Sequence, residues 1–89
     1  MAETAIVTLR LESYCKDYEL PVKVPLGELY PRLLTVLQEK SSRFGEYNNI
    51  VLEYRKCGMT DKTATLADYG VVSGVYLDIA REEEYHGIR

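Results

Sequence analysis

Positions 5 to 11 alternate: Ala5, Val7, Leu9 and Leu11 share one side, and Ile6, Thr8 and Arg10 share the other. A period of two predicts a strand with one buried face. The polar stretch SYCKD at 13–17 predicts a turn. Alternation then resumes, with Tyr18, Leu20, Val22 and Val24 set against Glu19, Pro21 and Lys23, so the opening segment reads as a hairpin. Pro21 has no N–H to donate. Its strand is therefore expected at a sheet edge, with residue 21 turning its missing donor outward.

The period then changes. Leu29, Leu33, Val36, Leu37 and Lys40 make a helical stripe whose last member can extend its ammonium to water. Pro31 suits only a first turn, which predicts a regular helix starting close to it, with Tyr30 extended before the proline. The helix is expected to end near Ser41. Residues 49–55, NIVLEYR, predict a third strand, with Ile50, Leu52 and Tyr54 on one side and Val51, Glu53 and Arg55 on the other. A turn at Gly58 and a short strand near Met59 follow. TLADYG reads as one helical turn ended by Gly70, and Ser73-Gly74 as a further turn. The last strand, VYLDIA, sends Val75, Leu77 and Ile79 inward and Tyr76, Asp78 and Ala80 outward. One helix to cover one face of a sheet is an α+β arrangement.

The 89 residues suit a single domain: residues 1–80 are expected to fold, and 81–89, REEEYHGIR, to form a short polar tail. A hydrophobic share of 46% with 28% charged residues is a globular composition. The net charge of −3 disfavours nucleic acid and a polybasic membrane anchor. No apolar run approaches the roughly 20 residues of a membrane span, and the N-terminus has no signal-peptide pattern, which predicts a cytoplasmic protein without direct membrane insertion. Cys15 and Cys57 lie in no C-x-x-C pair. Two free thiols are the ordinary reading in a reducing compartment, and spacing leaves a disulfide open.

Catalytic chemistry finds no constellation in the chain. His86 is the only histidine and has no carboxylate to orient it. One histidine and two distant thiols do not make a metal site, and no phosphate-loop motif is present. No catalytic, cofactor-binding or metal-binding residue is therefore assigned, and no cofactor is expected.

The segment TLADYGV at 65–71 resembles the Thr-Leu-x-Asp-Tyr-x-Ile stretch before the last strand of ubiquitin. With the element order, it implies a ubiquitin-like β-grasp over about residues 4–80: a mixed sheet of four to five strands, one main helix packed on one face, and the first and last strands parallel at the centre. YELPVKVPLGELYPRLLTVL and EYRKCGMTDKTATLADYGVVSGVYLDI further resemble the small YukD/EsaB proteins of Gram-positive type VII secretion. That likeness implies a non-catalytic accessory protein, held by protein partners at the inner face of the membrane. The partners it implies are membrane subunits of the secretion machinery or its FtsK-like ATPase. In actinobacteria a similar domain precedes a multi-pass membrane subunit.

Two other readings stay open: a ubiquitin-like adaptor of another cytosolic complex, and a conjugated modifier or sulfur carrier. The last needs a C-terminal Gly-Gly, whereas here Gly87 is followed by Ile88 and Arg89. The tail is either solvated or an acidic docking peptide built on Glu82, Glu83 and Glu84.

The outward sheet face is the candidate partner interface: Ile6, Thr8 and Arg10; Val51, Glu53 and Arg55; Tyr76, Asp78 and Ala80. Ile6, Val51 and Tyr76 would form an apolar patch. The alternative is a solvated face on which Arg10, Asp78, Glu53 and Arg55 pair across strands. Glu53 and Asp78 stand where ubiquitin is more apolar, so ubiquitin's receptors are not expected to bind. Tyr69 and Asp68 are expected to be structural, with the Tyr69 hydroxyl bonded to a nearby loop backbone and Asp68 holding the same turn. A monomer or weak homodimer is expected, since an edge strand is free to pair between chains.

Overall fold

The computed structural model describes residues 3–82. Strands β1 (Thr4–Leu11) and β2 (Tyr14–Pro21) form an antiparallel hairpin, followed by helix α1 (Leu26–Lys40). A 3₁₀ turn at Ser42–Phe44 leads to β3 (Ile50–Tyr54) and β4 (Cys57–Gly58). A second 3₁₀ turn at Ala67–Tyr69 precedes β5 (Tyr76–Arg81). The five strands are ordered β2-β1-β5-β3-β4, with β1 and β5 parallel at the centre and every other pair antiparallel. This is the expected mixed sheet with one main helix. Ala5, Val7 and Leu9 meet Leu77 and Ile79, Ile50 and Leu52, and the helix residues Leu26, Leu29, Tyr30, Leu33 and Leu37 in one core.

Several local expectations are corrected. The first turn is Glu12–Ser13 alone, and Tyr14 to Asp17 already belong to β2. Arg43 braces this tight turn: its Nη1 donates to the Leu11 carbonyl and its Nη2 to Ser13 Oγ, each at 3.3 Å. β2 ends at Pro21, although the Val22 N–H still donates to the Glu3 carbonyl at 3.0 Å.

Helix α1 starts at Leu26, so Pro31 lies inside it, and Tyr30 is helical rather than extended. The reason is a cap supplied by the tertiary fold. The Leu26 N–H donates to the Ala64 carbonyl at 2.8 Å, and the Gly27 N–H to the Lys62 carbonyl at 2.9 Å. Orphan donors of a first turn are thus bonded by a distant segment instead of a side chain. Gly27 permits the approach, since a Cβ there would lie 3.3 Å from the Lys62 carbonyl oxygen. Burial of Leu26, Leu29 and Tyr30 supports the extra turn against the carbonyl clash and lost N–H of an interior proline. The stripe is also rotated from the expected one. Leu34 is buried with Leu29, Leu33 and Leu37, while Val36 and Lys40 are exposed.

The turn after β3 falls at Arg55–Lys56, not at Gly58, and both residues have positive φ, 57° and 64°. Arg55 is therefore a turn residue, and its guanidinium lies over the Tyr54 ring, 5.1 Å from the centroid. Phe44, between α1 and β3, is fully buried. It packs edge-on against Tyr14 and Tyr47, at centroid distances of 5.2 and 5.4 Å. The tail residues Glu83, Glu84, His86 and Gly87 lie outside the described residues.

Candidate functional site

The register assembles the outward face from all five strands. One row across it reads Cys15, Arg10, Asp78, Glu53, Gly58, and the next Asp17, Thr8, Tyr76. Ile6 stands opposite Glu19. Arg10 organises the centre. Its Nε donates to Asp78 Oδ1 at 3.0 Å, and its guanidinium carbon lies 4.7 Å from the Tyr76 ring centroid. Arg10 thus engages the residue opposite and the diagonal neighbour, the two positions a long side chain reaches on a sheet. The pair is half exposed, so its ionic part contributes about 0–1 kcal/mol. A shallow depression of about 370 Å³ opens between Arg10, Glu53 and Asp78.

On the β2 side, Thr8 Oγ1 donates to Asp17 and Thr4 Oγ1 to Glu19, both at 2.6 Å. Along these rows the described acids are therefore Asp17, Glu19, Glu53 and Asp78, with the cation of Arg10 among them. Within this acidic field Ile6 and Tyr76 are each 54% accessible.

The structure does not bring all the expected residues together here. Ile6, Thr8, Arg10, Glu53, Tyr76 and Asp78 share the face. Arg55 is removed to the turn. Val51 has the outward register, opposite Ala80, but is only 1% accessible, and Ala80 is buried as well. Beside them Glu82 accepts from Lys62 Nζ at 2.9 Å, a contact between the end of β5 and the segment after β4. Alternation gives the side to which a residue points and says nothing of what folds across that side. The apolar patch thus consists of Ile6 and Tyr76 without Val51.

The two residues expected to be structural lie apart from this face. Tyr69 packs against the core, and its hydroxyl accepts from the Asp61 N–H at 3.3 Å. Asp68 Oδ2 accepts from the Thr65 N–H at 2.9 Å, and Thr65 Oγ1 accepts from the Asp68 N–H at 3.2 Å, a reciprocal brace across the turn. Gly70 closes that turn at φ 84°, where a side chain would be strained. The buried polar group that sequence reasoning missed is the Tyr30 hydroxyl. It donates to the Met59 carbonyl at 2.6 Å and accepts from the Leu52 N–H at 3.3 Å, tying α1 to β3 and to the segment after β4. Burial pushes its pKa up.

Cys15 and Cys57 are free and exposed, on β2 and β4 at opposite edges of the sheet. Three strands lie between them, so an intramolecular disulfide is out of reach. Among the described residues no group of three or more His, Cys, Asp or Glu is placed to hold a metal ion, and no helix is long and apolar enough to cross a membrane.

A central parallel β1–β5 pair, flanked by a hairpin and covered by one helix, is a ubiquitin-like β-grasp domain. Comparison with known proteins agrees. The model of the family described as WXG100 protein secretion system (Wss), protein YukD, matches residues 4–79, and the chain belongs to that family. No curated protein sequence matches the chain. Among solved structures, the ubiquitin-like domain of the Mycobacterium tuberculosis type VII secretion system protein EccD1 superposes with TM-score 0.70 at 22% identity, over 88% of this chain and 98% of that one. The EccD5 ubiquitin-like domain from Mycobacterium xenopi gives TM-score 0.71 at 15% identity, over 88% and 93%. A chain of the MycP5-free ESX-5 inner membrane complex gives TM-score 0.69 at 17% identity, over 86% of this chain and 20% of that longer one.

Proposed function

We propose that this protein is a non-catalytic docking module of a type VII secretion system. It would bind membrane subunits of the machinery, or its ATPase, from the cytoplasmic side. The outward sheet face is the surface that engages the partner, with Ile6, Tyr76 and Arg10 at its centre. The observation that carries this reading is that two large apolar side chains, each 54% accessible, stand within a charged lattice on a chain of a secretion-system family. Exposed apolar side chains rimmed by polar ones are the usual mark of a protein partner. The solved chain in the ESX-5 inner membrane complex supports the same setting, because it carries a domain of this fold inside a membrane assembly.

The test is a photo-crosslinking residue placed at position 76 in the native host, with position 39 on the helix as control. Adducts with a membrane secretion subunit or the ATPase at 76 only are the expected result. Adducts confined to soluble proteins unrelated to secretion would sink the reading.

A further inference from the structure

Three of the four large apolar side chains that stand exposed among the described residues gather at one corner of the molecule. Ile6 and Tyr76 lie on the outward face. Val72, at 60% the most accessible of the four, lies beside them on the chain that leads into β5. The fourth, Val36, is on α1. Val72 belongs to neither the core nor a strand.

The topology explains the corner. Parallel pairing of β1 with β5 starts at Thr8 and Tyr76. Before it, the incoming chain is tied to β1 through Ile6, whose N–H donates to Ser73 Oγ at 3.0 Å and whose carbonyl accepts from the Gly74 N–H at 2.9 Å. Between these bonds and the turn closed by Gly70, a depression of about 510 Å³ opens. Buried Ala5, Val22 and Val71 line it, with Ala67 beside them and the exposed Val72 at its margin. An apolar hollow continuous with exposed apolar side chains suits a bulky apolar anchor from a partner, the usual energetic centre of an interface.

The charges around the corner select what flanks that anchor. Glu3 and Lys23 also line the depression and offset each other, 3.9 Å apart. Arg10 is matched by Asp78. Glu19, opposite Ile6, and Asp17, opposite Thr8, accept from the hydroxyls of Thr4 and Thr8. Among the described residues neither carboxylate has an ion pair. Arg55 and Lys56 sit at the β3–β4 turn, with β5 between them and β1. Unmatched carboxylates beside the exposed Ile6 favour a cation on the partner and repel an acid. A second copy of the chain fits less well, because a two-fold contact would bring the same unmatched acids to the same corner.

We infer that the Val72 corner is the anchor pocket of the docking face, and that it takes a bulky apolar side chain flanked by lysine or arginine on a protein partner. This inference rests on the outward-face reading and names the part of that face that holds the anchor.

The experiment places the photo-crosslinking residue at position 72 of the full chain in the native host, alongside position 76, and sequences the crosslinked partner peptide by mass spectrometry. Capture of the same partner at both positions is expected, through a peptide with a large aliphatic or aromatic residue next to a basic one. Val72→Asp, at an exposed site, should lower the partner recovered by co-purification about tenfold with the melting temperature unchanged. Glu19→Lys should lower it about threefold at low salt and less at high salt. Adducts at 76 without adducts at 72 would overturn the inference and leave the outward-face reading standing, whereas adducts at neither would end both. Capture at 72 of a protein that 76 does not capture, a crosslinked peptide without a basic residue, or undiminished recovery with either variant would also overturn it.

Discussion

Two tyrosine hydroxyls of similar appearance in the sequence do different amounts of work. Tyr30 is fully buried and satisfies two backbone groups, whereas Tyr69 is half-buried and accepts one N–H. Removing a buried hydroxyl leaves its partners unsatisfied, at about 1–3 kcal/mol. Tyr30→Phe should therefore fall in that range, and Tyr69→Phe should cost about 1 kcal/mol or less. Urea denaturation of both variants would check the order, and a reversed order would contradict the burial argument. The same chemistry sets an alkaline limit. Burial first, and then the Tyr18 hydroxyl bonded at 2.6 Å, push the Tyr14 phenol from 10.0 up to about 12. Burial raises Tyr30 in the same direction. A raised folded pKa means that the folded state holds its proton longer than the unfolded chain. The stability these groups contribute is whole below pH 10 and declines as the pH rises through about 12. Melting temperatures should fall steeply across that window, and less steeply in Tyr30→Phe. Asp61 works at the acid end: hydrogen bonds from the Thr63 hydroxyl and N–H hold its carboxyl below the usual value.

At the scale of elements, strands were legible in the sequence wherever period two was clean, and helix α1 was legible from its leucines. Its start was not. Pro31 argues locally for a helix beginning beside it, and the cap that moves the start to Leu26 comes from residues 62 and 64, far along the chain. No local reading contains that bond. Phe44 was missed for a related reason, since its partners Tyr14 and Tyr47 meet it only in the folded sheet and loop. The β3–β4 turn shows the reverse case, in which local chemistry disagrees with the structure adopted. Two-residue hairpin turns with positive φ at both positions favour Asn-Gly, yet this chain uses Arg55-Lys56. Left-handed backbone costs an ordinary residue about 1 kcal/mol or more relative to glycine. Lys56→Gly should accordingly raise stability by about 0.5–1 kcal/mol in thermal or chemical unfolding. An unchanged or lower stability would show that the flanking pairs, Tyr54 with Cys57 and Glu53 with Gly58, already absorb the strain.

At the scale of the whole molecule, the sheet separates what folds the protein from what faces a partner, one residue apart along β5. Leu77 is fully buried under the helix, and Tyr76 is exposed on the other side with Arg10 stacked against it. That division of labour was readable in the alternation of VYLDIA. The burial of Val51 and Ala80 was not, because their cover comes with tertiary structure. The division has a consequence that distinguishes a docking face from a merely solvated one. Leu77→Ala removes buried methyl groups and should cost about 2–5 kcal/mol of stability, with any loss of partner binding following the loss of folded protein. Tyr76→Asp changes an exposed site and should leave the unfolding free energy within about 1 kcal/mol. It should nevertheless abolish crosslinking or co-purification with the secretion machinery, because it adds a charge to a desolvated contact. Arg10→Glu should do the same by replacing the cation at the centre of the face with an acid. If Tyr76→Asp binds its partner normally, the outward face is only a solvated surface. If it unfolds the protein as Leu77→Ala does, Tyr76 belongs to the fold and the interface lies elsewhere.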